Sequence, residues 1–338
     1  MSIFPSLVAM TSILVVQTPA AEFIADRMPT ASCHASTVVE LANGELLAAW
    51  FGGTQEGAPD VGIWTARRRP NGWTVPTELV REPHIATYNP VLFHAASGLL
   101  WLYYKFGPEP GLWTAGRLMS RDEGRTWSPV EHLPAGLLGP IRSKPLLLPK
   151  GVILAGSSVE SYGSWACWIA RSTDDGESWQ QIGPIAAPHG LEAAQPKPGQ
   201  PHGIIQPALV DLGDGHIRLY ARATNDIGRI CQSDSHDNGL TWSAVTKTDL
   251  RNPNSGIDAV RLRDGRLVIA YNNTSSGRTP LNMAVSATGD KWVNFRDLET
   301  APGEYSYPAL IQARNGDLLV TYTWNRVKIR FVRLPLPQ

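Results

Sequence analysis

The sequence predicts an all-β chain, a six-bladed β-propeller with four-stranded antiparallel blades, residues 1–338 forming one domain. Three observations predict it. A hairpin turn dipeptide recurs six times. A tryptophan that closes a turn-rich octet recurs with the same period. The runs between these markers are short, apolar and rich in Val, Ile, Leu, Tyr and Trp, and no helical period competes with them.

The turn dipeptides are Asn43-Gly44, Ser97-Gly98, Lys150-Gly151, Asp214-Gly215, Asp264-Gly265 and Asn315-Gly316, with glycine intervals of 54, 53, 64, 50 and 51 residues. Such dipeptides between apolar runs are hairpin signals. The octets are Ser120-Arg121-Asp122-Glu123-Gly124-Arg125-Thr126-Trp127, Ser172-Thr173-Asp174-Asp175-Gly176-Glu177-Ser178-Trp179 and Ser235-His236-Asp237-Asn238-Gly239-Leu240-Thr241-Trp242, with degenerate copies ending at Trp73 and Trp292. Tryptophan intervals of 54, 52, 63 and 50 follow the glycine intervals. Two series in phase mean one repeated unit. In the third unit a strand over residues 145–148 leads through the turn to strands over 152–157 and 165–172, then the octet and a last strand from residue 180. Asp and Ser or Thr side chains bond nearby amides in such turns, so the octets are scaffold.

Five octets serve six turns, so the last blade needs a strand from elsewhere. The N-terminal segment, over residues 12–16 or 22–25, is the natural donor and would close the ring. The same region has a second reading. Residues 3–16 are mostly apolar and Thr18-Pro19-Ala20-Ala21 follows, as in a signal segment, although no Lys or Arg precedes it. Read as a signal over residues 1–20, it makes the protein secreted or periplasmic; read as a strand, it leaves a cytoplasmic protein equally consistent. The apolar run is too short to span a bilayer.

Composition narrows the partners. Lys plus Arg equals Asp plus Glu at 30 each, so no charge excess calls for nucleic acid or an anionic membrane. Three cysteines, Cys33, Cys167 and Cys231, make no disulfide framework. No CxxC, HExxH or glycine-rich phosphate loop occurs, so no cofactor or metal is expected.

The residue opening the innermost strand of each blade should rim the central channel on the face opposite the octets. Counting back from the turn glycines gives His34, Asn89, Lys144, Gln206, Asp258 and Tyr307. Adjoining loops add Glu56, Asp60, Glu160, Arg222, Asn272, Arg278 and Arg326, with Trp50, Trp165 and Trp324 as aromatic faces available for stacking. So many polar groups on one face point to a binding site.

The octets resemble the Asp-box, Ser-x-Asp-x-Gly-x-Thr-Trp, of sialidases and their relatives. The resemblance covers essentially the whole chain and is nearest to the sialidase-like glycosyl hydrolase group with BNR repeats. His34-Ala35-Ser36-Thr37, Ala49-Trp50-Phe51-Gly52-Gly53 and Tyr305-Ser306-Tyr307-Pro308-Ala309 are similar to that group too. It implies that Arg222 and Arg278 are the second and third arginines of a carboxylate-binding triad, a task suited to the guanidinium fork. The place of the first looks like His34. Tyr307 occupies the place of the nucleophile, and Asp60, with Glu56 second, that of the general acid. The glutamate that ionises the tyrosine is replaced by Gln206, which accepts no proton. Lys144, Asn89, Glu160, Asp258, Asn272 and Trp165 complete the expected substrate-binding set. The reading is a sialidase-like exo-glycosidase acting on an acidic sugar of a glycan or glycoconjugate. The alternatives are a non-catalytic glycan-binding propeller, a uronate-processing lyase with His34 as base, and another glycoside hydrolase, inverting included.

Overall fold

The structure, a computed structural model, describes residues 20–192 and 199–336. Among these residues the regular structure is β-strand and two single 3-10 turns, Pro110–Leu112 and Pro149–Gly151. No described helix is long and apolar enough to cross a membrane.

Each turn dipeptide joins the first two strands of a unit of antiparallel strands. The first unit is Ser32–Glu40, Leu46–Gly53 and Gly62–Arg69, with Gly72–Trp73 and Thr77–Val80 both paired to the third strand. The second is Thr87–His94, Leu100–Phe106, Thr114–Ser120 and Glu131–His132. The third is Leu146–Leu147, Ile153–Glu160, Ser164–Ser172 and Gln180–Ala186. The fourth is His202–Gly213, His216–Ala223, Arg229–Ser235 and Thr246–Arg251. Parallel pairing of Ser164 with His202 and of Trp165 with Gly203 joins the third and fourth units into one eight-stranded sheet. The fifth is Asp258–Arg261, Leu267–Tyr271, Leu281–Ser286 and Val293–Glu299.

The last unit supplies Tyr305–Gln312, Leu318–Trp324 and Lys328–Leu334, and its fourth strand comes from the other end of the chain. Ala20–Phe23 pairs antiparallel with Lys328–Leu334, Ala20 opposite Arg333 and Phe23 opposite Arg330. This overlaps the 22–25 donor read from the sequence; the 12–16 donor lies outside the described residues.

Apolar clusters lie between consecutive units. Leu47 and Ile63 pack with Leu92 and Leu102, Trp101 and Val91 with Ile153, Leu154 and Ile169 with Ile204 and Leu219, Tyr220 and Ala208 with Ile257 and Ile269, and Val268 and Met283 with Leu310 and Val320. A further cluster puts Val38 and Trp50 of the first unit against Leu319 and Phe331 of the last. Full burial of one such side chain is worth about 1.5–3 kcal/mol, so these sheet-to-sheet seams hold the molecule together. Polar contacts cross the first–last seam as well: Ala35 N donates to Thr323 Oγ1 at 3.1 Å, and the Ser36 and Thr321 hydroxyls are 3.0 Å apart.

The octets close as turns. Ser172 Oγ accepts from Gly176 N at 2.9 Å and donates to Asp174 at 2.7 Å, while Asp174 accepts from the amide and hydroxyl of Ser178 at 3.0 and 2.5 Å. Ser120 with Asp122 and Ser235 with Asp237 repeat the pattern. Octet and hairpin turns share one end of the molecule, since Glu123 of an octet accepts from Ala42 N at 3.0 Å in the first hairpin.

The innermost strands share a second device. Four of them carry a β-bulge, between His34 and Thr37, Tyr88 and Val91, Ile205 and Ala208, and Ser306 and Ala309. Each bulge holds a non-glycine residue in the left-handed region: Ala35 (φ 50°), Asn89 (43°), Gln206 (55°) and Tyr307 (54°). Each lies nine residues before its turn glycine. His34 is therefore one residue out of phase with Asn89, Gln206 and Tyr307, and Ala35 is their counterpart. The same count of nine gives Arg142 and Gly256, not Lys144 and Asp258, for the third and fifth units. Lys144 and Asp258 lie seven residues before their turn glycines, and no bulge marks the first strand of their units among the described residues. Left-handed non-glycine residues cost about 1–3 kcal/mol each and gather at functional sites.

Candidate functional site

These positions converge on Tyr307. Gln206 Nε2 lies 3.4 Å from its phenol oxygen, the Arg142 guanidinium lies 5.3 Å from its ring centre, and a Cβ on Gly256 would touch the ring at 3.4 Å. The His34 ring sits 4.3 Å from the Tyr307 ring. Arg142 is buried and donates to the Ile257 and Pro308 carbonyls, so it fixes the floor under Tyr307.

A pocket of about 360 Å³ opens above this floor. Its walls include Glu56, Tyr88, Asn89, Glu109, Trp113, Glu160, Gln206, Tyr307 and three arginines, Arg222, Arg278 and Arg326. Arg222 donates through Nε to Asn254 at 2.6 Å and through Nη1 to the Tyr307 phenol oxygen at 2.7 Å and Gln206 Oε1 at 3.3 Å. Arg278 Nη1 donates to Glu304 at 3.0 Å and Ser306 Oγ at 3.2 Å. Arg326 Nε reaches the same Glu304 oxygen at 2.7 Å, and its Nη1 pairs with Glu56. Each of the three keeps Nη2 without a hydrogen-bond partner among the described residues. Tyr88 and Trp113, ring centres 5.0 Å apart, form an aromatic wall.

Electrostatics separate the titratable groups. Burial raises the Tyr307 phenol, but Arg222 and Arg278, with the hydrogen bond from Gln206, outweigh it and bring the phenol below its ordinary value. Burial lifts the Glu160 carboxyl, against the pull of Arg222. Burial, then Arg326, Arg278, Arg142 and Arg222, hold His34 well below its ordinary value, so the imidazole is neutral, with Nδ1 buried and unpartnered.

Of the residues singled out in the sequence, Glu56, Asn89, Glu160, Gln206, Arg222, Arg278 and Tyr307 line the pocket and His34 backs it. Trp165 lies beneath the Arg222 guanidinium at 5.8 Å. Asp60 does not line it. Its carboxylate accepts from Thr54 N at 3.0 Å and Thr54 Oγ1 at 2.6 Å, and these bonds hold it below the ordinary aspartate value. Lys144 and Asp258 are spent on each other at 3.0 Å, with Asp258 also accepting from Leu310 N at 2.7 Å. Asn272 is fully buried and donates to the Arg278, Pro280 and Tyr305 carbonyls, so it positions the segment that carries Arg278. Trp50 is core and Trp324 packs on Phe23. Arg142, Glu109, Tyr88 and Trp113 were not anticipated; a constant count of nine would have found Arg142. A larger cleft of about 610 Å³, around Ala21, Arg27 and Trp73, gathers no comparable set of arginines around a phenol.

A family model for the BNR repeat-like domain matches residues 44–320, most of the chain. The chain belongs to this family. Sialidases are among the solved structures whose fold this BNR-repeat chain shares. No curated protein sequence matches it. A solved protein of unknown function from Dyadobacter fermentans is similar at TM-score 0.77 and 17% identity, over 94% of this chain and 98% of that one. The NanB sialidase from Streptococcus pneumoniae is similar at TM-score 0.72 and 15% identity, over 91% of this chain and 69% of that one. An intramolecular trans-sialidase from Ruminococcus gnavus, solved with oseltamivir carboxylate, is similar at TM-score 0.70 and 13% identity, over 93% and 96%. At such identities the likeness speaks for the fold of the BNR-repeat chain, and function has to come from the site.

Proposed function

We propose that the chain is a sialidase-like glycosidase that holds the carboxylate of an acidic sugar between Arg222, Arg278 and Arg326, beside Tyr307. The observation that carries this reading is the convergence of three guanidinium groups, each with a spare Nη2, on one pocket with a phenol made more acidic by two of them. We further read the strand units as the six blades of one propeller domain, closed by Ala20–Phe23. The apolar seams between each successive pair of units and between last and first support that architecture.

The absent carboxylate at Gln206 shapes the mechanism. Gln206 and Arg222 both donate to the phenol oxygen and so stabilise the phenolate, but neither accepts its proton. Glu160 is the acceptor in this reading. Burial raises it while the arginines lower Tyr307, which narrows the gap the proton must cross. The Tyr307 oxygen bonds to the anomeric carbon as the glycosidic bond breaks, and Glu56 donates a proton to the leaving oxygen. Water then cleaves the Tyr307–sugar bond, returning its proton to Glu56. The Tyr88–Trp113 wall offers a stacking face for the sugar.

An activity screen of the purified protein on sialyl, uronyl and neutral glycosides, with the released anomer followed by NMR, tests this. The expected result is turnover of an acidic glycoside with retained anomeric configuration. Turnover of neutral glycosides alone overturns it. A second reading, a non-catalytic glycan-binding protein, is favoured by Gln206 alone, and saturable binding of acidic glycans without turnover would select it.

A further inference from the structure

Outside the pocket, His189, Glu192 and His202 place one ligand atom each within 4.8 Å of one another. Glu192 Oε1 lies 3.3 Å from His189 Nδ1 and 3.6 Å from His202 Nε2, while its Oε2 accepts from Gly190 N at 2.6 Å. One carboxylate oxygen is thus turned toward two imidazoles. For a tetrahedral ion bonded to nitrogen and oxygen at about 2.0–2.1 Å, neighbouring ligand atoms stand about 3.3–3.4 Å apart, close to these separations.

Two independent features mark His202 as a ligand and not a plain ion-pair partner. Its Nδ1 donates to Asp226 at 2.6 Å, which leaves the lone pair on Nε2. That Nε2 is buried and has no hydrogen-bond partner, the 3.6 Å to Glu192 being too long for one. A carboxylate behind a histidine is the arrangement that fixes ring orientation and tautomer in metal sites. His189, largely exposed, stacks on His202 with ring centres 5.3 Å apart and completes the open side. Two imidazoles and a carboxylate suit a first-row transition dication such as zinc, with one position left for water.

We propose that His189, Glu192 and His202 form a zinc-type metal site, oriented by Asp226. It lies beside the pocket wall: His202 opens the strand that carries Gln206, and Asp226 follows the strand that ends next to Arg222. A bound ion would tie the segment around Glu192 to the start of that strand.

The test uses the full chain, stripped with a chelator and titrated with ZnCl2 by calorimetry against a competing chelator. CoCl2 serves as a visible-absorption probe of coordination. The expected result is one ion per chain and cobalt bands of a four- or five-coordinate site. His189→Ala and Glu192→Gln should each weaken binding at least tenfold, and Asp226→Asn should weaken it roughly 10- to 100-fold. His189 is at the surface, so that variant keeps its fold. Failure of the wild type to bind zinc, or unchanged affinity in His189→Ala and Glu192→Gln, overturns the proposal.

Discussion

Replacing Arg278 with alanine separates substrate recognition from scaffold repair more cleanly than any other change in the pocket. Arg278 Nη1 is engaged by Glu304 and Ser306, which leaves Nε and Nη2 as the fork available to a ligand. Its removal does not strand Glu304, because Arg326 Nε still pairs with the same oxygen at 2.7 Å. Nor does it touch the Tyr307 phenol directly, whose hydrogen bonds come from Arg222 and Gln206. The loss should therefore follow the substrate's own charge. Truncating one side of a desolvated charge pair costs about 2–5 kcal/mol, roughly a 30- to 5,000-fold fall in kcat/KM on an acidic glycoside. On the matched analogue with the carboxylate replaced by a hydroxymethyl group, the change should stay within about tenfold, reflecting the weaker push on Tyr307. The assay is kcat/KM for both substrates with wild type and Arg278→Ala. Equal losses on the two would refute the carboxylate role and leave Arg278 as a brace for Glu304.

The other expectations concern proton transfer and stability. Glu160→Gln should lower kcat by about 10²–10⁴-fold with KM little changed and remove one limb of the pH–rate profile; Glu56→Gln should likewise cost far more than Asp60→Asn, which should cost less than about tenfold, and the reverse ranking of these two would return the general-acid role to Asp60. Lys105 is fully buried against the Pro140 carbonyl, and burial pushes its ammonium down to about 7. The unfolded chain keeps that proton up to about pH 10.4, so between these values the unfolded state binds more protons and stability rises with pH, by about 5 kcal/mol in all. Urea unfolding across this range should show that Lys105→Met loses the rise; identical slopes in both proteins would sink the argument. Ser172→Ala breaks an octet at a buried hydroxyl that serves Gly176 N and Asp174, and should cost about 1–3 kcal/mol in the same measurement while leaving ligand affinity unchanged.

The repeat was legible because turn chemistry writes itself into sequence: each hairpin turn glycine has positive φ, where other residues are strained. The N-terminal partner strand followed from counting octets against turns, though not its limits at Ala20–Phe23. The site was legible to the extent that position along a strand decides it. Tyr307, Gln206 and Asn89 lie nine residues before their turn glycines, whereas His34 lies ten and Lys144 and Asp258 seven before theirs, and these three fall outside the pocket wall. Loops gave less. Glu56 and Asp60 share one loop, and the sequence does not say that Glu56 reaches the pocket and Arg326 while Asp60 is held by Thr54. Arg326 stood out as a loop arginine without a task, because Glu304 and Glu56, which orient it, come from opposite ends of the chain. The His189, Glu192 and His202 group has no helical or CxxC-like spacing to announce it.

The bulges on the innermost strands have a consequence for how such a site can change. Backbone geometry there is imposed by the bulge and tolerates side chains as different as Ala35, Asn89, Gln206 and Tyr307. Each of these four positions is a socket whose shape does not depend on what is plugged into it. Exchanging one occupant re-specifies the chemistry at the centre without a new architecture. Gly256 stands beside two of these occupants, and a Cβ there would meet Gln206 and Tyr307 in ordinary van der Waals contact at 3.4 Å, so this neighbouring position too has space for a small side chain.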